Sequence, residues 1–207
     1  MRTLWLNLSG TPAARQAHKT QRLNYPLCFN VPQSCFCAEK KSIQLSDRTT
    51  SPGLYIDIVV QVGKDLTKAS VSEIGLAIDG YRWCVGISDK WFLDQVGSPS
   101  IRDKGVCLYY SRWSNGYNVL GSLMDVSFED LIQKRFEFII GNEKLLTPLE
   151  FEHNPGKVIS FLSDFITLSA GDLVSLGSVV ILEDLGEIPV SVSILEKDYS
   201  WSVDIIR

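Results

Sequence analysis

Apolar and polar positions alternate along much of this chain, and the period is mostly two. Leu54-Tyr55-Ile56-Asp57-Ile58-Val59-Val60-Gln61-Val62 is the strongest strand: rich in β-branched residues and closed by Gly63-Lys64-Asp65. Leu4 to Leu8, Ile43 to Leu45, Trp83 to Ile87, Cys107 to Tyr110, Ile188 to Ile194 and Ser200 to Ile206 predict further strands. Leu131 to Ile140 also alternates, and Gly141-Asn142 predicts a hairpin turn into Glu143 to Leu146. Helical spacing is rarer. Val71, Ile74, Ala77 and Ile78 predict a helix over 70–81, started by Ser70 and Glu73. Thr11 to Arg22, with Pro12 near its start, predicts a second, and Val158 to Phe165 a third. Pro26 and Pro32 force an extended path, and Lys90 to Gly105 reads as a loop with a short helix. Strands dominate, so the fold class expected is a strand-rich, mixed α+β domain.

Composition narrows the function classes. The chain has 207 residues, 45% hydrophobic and 21% charged, which suits one domain with a sizeable core. The net charge is −4 with no run of like charges, so a nucleic-acid partner is not expected. No apolar run approaches the ~20 residues of a membrane span, and the first residues turn polar too soon for an export signal. The odd count of five cysteines reads as reduced thiols in a cytoplasm. Cys35-x-Cys37 has no second pair at zinc spacing. Gly171-Asp172 reads as a turn rather than a phosphate loop, and there is no nucleophile elbow.

Thr167-Leu168-Ser169-Ala170-Gly171-Asp172-Leu173-Val174-Ser175-Leu176-Gly177-Ser178 carries the most specific signal. It reads as a strand entry, a tight turn and a strand ending on small residues. With the helix before it, this run resembles the signature of the fumarylacetoacetate hydrolase family, in which Thr167, Leu168, Gly171, Asp172 and Gly177 match. Pro26 to Ser34, Tyr55 to Lys64 and Ile78-Asp79-Gly80-Tyr81 resemble three weaker motifs of that family, in the same order, so the resemblance spans about residues 20 to 195.

The resemblance implies the mixed β-roll of the family's C-terminal domain, with few short helices. It implies a division into an N-terminal strand and possible lid helix, 1–25, and a catalytic-type domain, 26–207. It also implies a homodimer. Family members bind Mg²⁺ or Mn²⁺ through three carboxylates, two at alternate positions of one strand and a third nearby, as hard oxygen ligands on one face suit such ions. Those positions are Tyr55, Asp57 and Gly86 here, so one carboxylate of three remains. The expectation is therefore no cofactor, with a metal site at Asp57 and Asp89 as the alternative.

The candidate chemistry gathers around Asp57. An isolated carboxylate within an apolar strand is costly unless used or paired, for which Arg112, Lys104 and backbone amides are candidates. As a proton-transfer group it would work with Tyr55, on the same face, and with His18, near the position of a lid histidine in some relatives. Arg112, Lys104 and Ser178 are the candidate substrate-binding residues; Arg112 stands where the family holds a substrate carboxylate with a Lys, and can grip it with two parallel bonds. Glu150, Glu152 and His153 form a denser cluster, read as a solvated strand edge or an acid/base pair at a pocket mouth.

Three functions follow as expectations. The first is a metal-independent acid/base enzyme, a hydrolase, cyclase or isomerase acting on a small organic substrate. Epoxide opening of a secondary-metabolite intermediate is one example. The second is a metal-dependent hydrolase, decarboxylase or isomerase of a keto acid. The third is a non-catalytic relative that scaffolds a partner subunit.

Overall fold

The computed structural model describes residues 3–7, 10–18, 26, 28–38, 40–89, 112, 114–186 and 188–207. In chain order the elements are β1 (Leu4–Asn7), α1 (Pro12–His18), β2 (Cys28–Val31), a 3-10 turn (Gln33–Cys35), β3 (Phe36–Ala38), β4 (Ser42–Gln44), β5 (Pro52–Val62), α2 (Val71–Gly75) and β6 (Ile78–Asp89). After these come β7 (Asn118–Leu120), α3 (Phe128–Gln133), β8 (Glu137–Ile140), β9 (Glu143–Leu146), α4 (Pro155–Ser163), β10 (Leu173–Leu182), β11 (Val190–Glu196) and β12 (Tyr199–Ile206). The fold is the strand-rich, mixed α+β arrangement expected.

The strands form two sheets. A seven-stranded sheet runs β2-β1-β10-β5-β6-β7-β3, and a five-stranded sheet runs β4-β12-β11-β8-β9. Both are mixed: β1 pairs parallel with β10, β3 with β7 and β4 with β12, and the other pairs are antiparallel. β1 lies between β2 and β10, so the N-terminal strand is a member of the main sheet.

Period two decides where everything goes. On β5 the even-numbered Leu54, Ile56, Ile58, Val60 and Val62 point into the main core, as do Tyr81, Trp83, Val85 and Ile87 of β6. Phe138, Val192, Ile194, Val203 and Ile205 of the smaller sheet meet them. Trp83 is fully buried and takes Phe136 edge-on at 4.9 Å and Phe138 at 5.3 Å, the geometry aromatic rings prefer. The odd positions of β5 face the other way. There Val59 joins Leu4, Leu6, Val31, Cys84, Leu120 and Leu173 in a second, smaller apolar cluster. Every residue of β5 is buried because both faces are covered, which hides the alternation that the fold obeys.

Two expected elements come out differently. The helix over 70–81 stops at Gly75, and Ile78 to Tyr81 belong to β6. Its start is right: Ser70 and Glu73 close a reciprocal capping box. Its end is overruled, because Tyr81 pairs with Val60 across the sheet, and tertiary pairing outweighs a few tenths of a kcal/mol of local preference. The alternating run over 131–140 is split. α3 is capped by Ser127, whose hydroxyl accepts the Asp130 amide at 3.0 Å, and only Glu137–Ile140 is strand. The expected loop over 90–105 and strand over 107–110 lie outside the described residues.

Trp83 is the test of how the two sheets hold together. Trp83→Ala is expected to lower the free energy of urea unfolding by about 3–5 kcal/mol with little change of slope.

Candidate active site

The odd face of β5 and the even face of β6 carry a polar group of side chains beside that smaller apolar cluster. Tyr55 pairs with Gly86 and Asp57 with Cys84, so Tyr55, Asp57 and Gly86 share one face of the sheet. On the other side of β5, Ser178 of β10 pairs with Asp57. Ser175 and Ser178 are three residues apart and would face opposite ways on a regular strand. A bulge between Ser175 and Gly177 corrects this: β10 advances two residues while β5 advances one. Gly177 takes φ +119°, a conformation glycine adopts without penalty. Both hydroxyls thereby reach one carboxylate. Ser178 Oγ donates to Asp57 Oδ1, and Ser175 Oγ donates to Oδ2 at 3.3 Å.

Arg112 supplies the opposite charge. Its Nη1 donates to Asp57 Oδ2 at 3.3 Å, and both side chains are shut off from water, with exposures of 2% and 1%. The guanidinium carbon lies 4.4 Å over the centre of the Tyr55 ring, a cation–π contact. Asn118 of β7 holds the segment in place. Its Nδ2 donates to the Arg112 carbonyl at 3.2 Å and to the Cys35 carbonyl at 3.0 Å. Arg112 Nε and Nη2, and Asn118 Oδ1, have no hydrogen-bond partner among the described residues. Burial pushes the Tyr55 phenol up, with the Arg112 charge working the other way, so Tyr55 keeps its proton at neutral pH. Burial likewise raises the Cys35, Cys37 and Cys84 thiols, which keeps them protonated at neutral pH.

The N-terminal segment is clamped to this face. Thr11 is buried, and its hydroxyl donates to the Ser178 carbonyl while accepting the Ala14 amide at 3.0 Å as the cap of α1. A methyl carbon on Gly177 would come within 2.8 Å of the Gly10 Cα, so the two glycines permit the close approach. The Gly10 carbonyl accepts the Glu152 amide at 2.8 Å.

The structure brings Tyr55, Asp57, Arg112 and Ser178 together. It adds Ser175, Asn118 and Thr11, which were not anticipated. The spacing Ser175-x-Gly177-Ser178 was the available signal for the first of these: a glycine between two serines marks a bulge. Asn118 and Thr11 carry no comparable sequence mark. Asp89 pairs with Pro52, five residues beyond the Cys84 that faces Asp57, which is about 16 Å of strand. Its Oδ1 accepts the Ser51 amide at 3.4 Å. His18 is the last residue of α1, but its side chain, and the whole of Lys104, lie outside the described residues. Glu150, Glu152 and His153 sit in an irregular stretch between β9 and α4, so the strand alternation expected there does not apply. A groove of about 570 Å³ lies over α2, α3 and the start of α4, lined by Ile74, Asp79, Tyr81, Phe128 and Asn154; none of the four site residues borders it.

The sequence matches the fumarylacetoacetate (FAA) hydrolase C-terminal family over residues 5–191. The chain therefore belongs to the fumarylacetoacetate hydrolase family. Solved structures share its fold at low identity. A fumarylacetoacetate hydrolase family protein from Yersinia pestis CO92 superposes with a TM-score of 0.82 at 18% identity, over 100% of this chain and 94% of that one. Fumarylpyruvate hydrolase from Pseudomonas aeruginosa, in complex with Mn²⁺ and pyruvate, gives 0.81 at 14%, over 100% and 90%. 5-Carboxymethyl-2-hydroxymuconate delta-isomerase from Mycobacterium smegmatis gives 0.74 at 17%, over 99% and 78%. No curated protein matches the chain significantly in sequence.

A divalent ion does not suit the residues present at this face. Among the described residues Asp57 is the buried carboxylate of this face, its oxygens accept three hydrogen bonds, and a guanidinium stands 3.3 Å away. Gly86 offers no donor atom, and Tyr55 is a protonated phenol under that guanidinium. Among the described residues no group of three or more His, Cys, Asp or Glu could hold a metal.

The pair is expected to behave as a unit. Asp57→Asn, which strands a buried cation, should cost about 3–5 kcal/mol in urea unfolding, and the double change Asp57→Leu/Arg112→Met should cost less than that single change. A double variant less stable than the single one would show that the pair is not the source of the effect.

Proposed function

We propose that this chain is a metal-independent hydrolase or isomerase that moves protons at Asp57 and Tyr55 and holds a substrate oxyanion at Arg112. One observation carries the reading: a buried guanidinium whose Nε and Nη2 have no partner among the described residues. Buried N–H groups of a cation left unpaired are costly, and an oxyanion ligand satisfies two of them in parallel. The substrate class is a small organic acid with an enolisable carbonyl or a strained ring oxygen. The homodimer implied by the resemblance is part of the same proposal.

The residues divide the work. In a keto–enol isomerisation the Ser178 hydroxyl passes its proton to Asp57 Oδ1 and takes the substrate's. The oxyanion so formed rests against Arg112. Tyr55, kept protonated by burial, delivers a proton at the carbon, and the proton on Asp57 returns to restore the phenol. In ring opening, Tyr55 protonates the ring oxygen while the attacking water gives its proton to the Ser178 hydroxyl, which passes its own to Asp57. Asp57 also positions the guanidinium, so its loss removes two functions at once.

A second reading rests on its own observation. Tyr55, Asp57 and Arg112 are 4%, 1% and 2% exposed, which suits a filled site in a non-catalytic scaffold. Calorimetric titration of EDTA-treated protein with pyruvate and with oxalate separates the two. The catalytic reading expects binding tighter than about 1 mM, weakened about ten-fold or more by Arg112→Ala. No binding of either acid would sink it and leave the scaffold.

A further inference from the structure

Three separate contacts converge on one point. The guanidinium is 3.3 Å from the Asp57 carboxylate. It stacks 4.4 Å above Tyr55. A methyl carbon on Gly86 would fall 2.5 Å from Arg112 Nη2 and 2.9 Å from Asn118 Oδ1. Residues 55, 57 and 86 face the same side of the β5–β6 ladder, and the guanidinium lies against all three. We infer that Arg112 is the resident cation of this site, a covalently attached positive charge in the place where carboxylates at these three positions would hold a divalent ion.

The substitutions then read as one coupled set. A guanidinium is planar, permanently charged and wider than Mg²⁺ or Mn²⁺. It needs an aromatic or small neighbour where a metal needs an oxygen. Tyr55 gives the flat face, and Gly86 gives the volume, since any side chain at 86 would overlap Nη2. Asp57 stays because a buried cation requires one countercharge. Two or three carboxylates around a single guanidinium would leave net negative charge in a water-free site. Keeping one is the neutral solution. Asn118, by fixing the Arg112 carbonyl, keeps the arm from swinging out. This assignment goes beyond the catalytic reading and holds whether or not the site turns over a substrate.

The resident charge, rather than the missing ligands alone, is what keeps metal out. Tyr55→Glu restores a second carboxylate two residues from Asp57 on the same face. With Arg112 in place, that Glu should pair with the guanidinium, and Mn²⁺ should bind no better than to the unaltered chain. Tyr55→Glu/Arg112→Ala frees both carboxylates, and Mn²⁺ affinity should rise about a hundred-fold or more, read by electron paramagnetic resonance of bound against free Mn²⁺. Equal Mn²⁺ binding by the single and double variants would overturn the inference, as would tight Mn²⁺ binding by the unaltered chain. Should the double variant be unfolded without metal, its thermal unfolding in Mn²⁺ against EDTA decides: metal-dependent folding sustains the inference, and no response overturns it.

Discussion

A guanidinium and a carboxylate held 3.3 Å apart and closed to water set the terms for their surroundings. Either charge alone would be untenable in that place, because desolvation of an ion costs several kcal/mol and only a partner of opposite sign offsets it. The neighbours are chosen accordingly. Two serines saturate the carboxylate, a tyrosine ring lies under the cation, an asparagine pins the backbone that carries it, and a glycine leaves it room. None of these residues has to be what it is for the sake of the sheets alone. They fit one another.

The sheet makes such a cluster possible by separating its two faces. Even positions of β5 and odd positions of β6 close the main core around Trp83, and the opposite parity is free to be polar. One irregularity is built in. The bulge at Gly177 brings Ser175 to the side of Ser178, and the same glycine lets Gly10 and Thr11 press against β10. A hydrogen-bonded line thus runs from the N-terminal cap, through Ser178, to Asp57 and Arg112. One backbone position open only to glycine thus serves both the site and the docking of α1.

Membership of the family, with solved relatives at 14–18% identity and TM-scores near 0.8, separates what the fold preserves from what the site can change. Apolar volume at alternate positions is enough to rebuild two sheets. A binding face depends on a handful of side chains, and those can be exchanged together while the scaffold persists. The exchange inferred here replaces a diffusible cation with a tethered one, so the electrostatic character of the face is kept with different chemistry.

The pattern of residues alone determined the long strand over 54–62, the hairpin at Gly141-Asn142, the turn at Gly171-Asp172 and the start of α2 at Ser70. Each of these is local: a run, a cap or a turn whose physics is contained in a few neighbouring residues. Only the tertiary structure decided that α2 ends at Gly75, because the competing partner of Tyr81 is Val60, twenty-one residues earlier in the chain. Only it paired Arg112 with Asp57, fifty-five residues away, and placed Asp89 beyond reach. A buried charge announces in sequence that it needs a counterion, but which one it meets is set by strand register and by contacts between distant parts of the chain, and neither is written in the residues next to it.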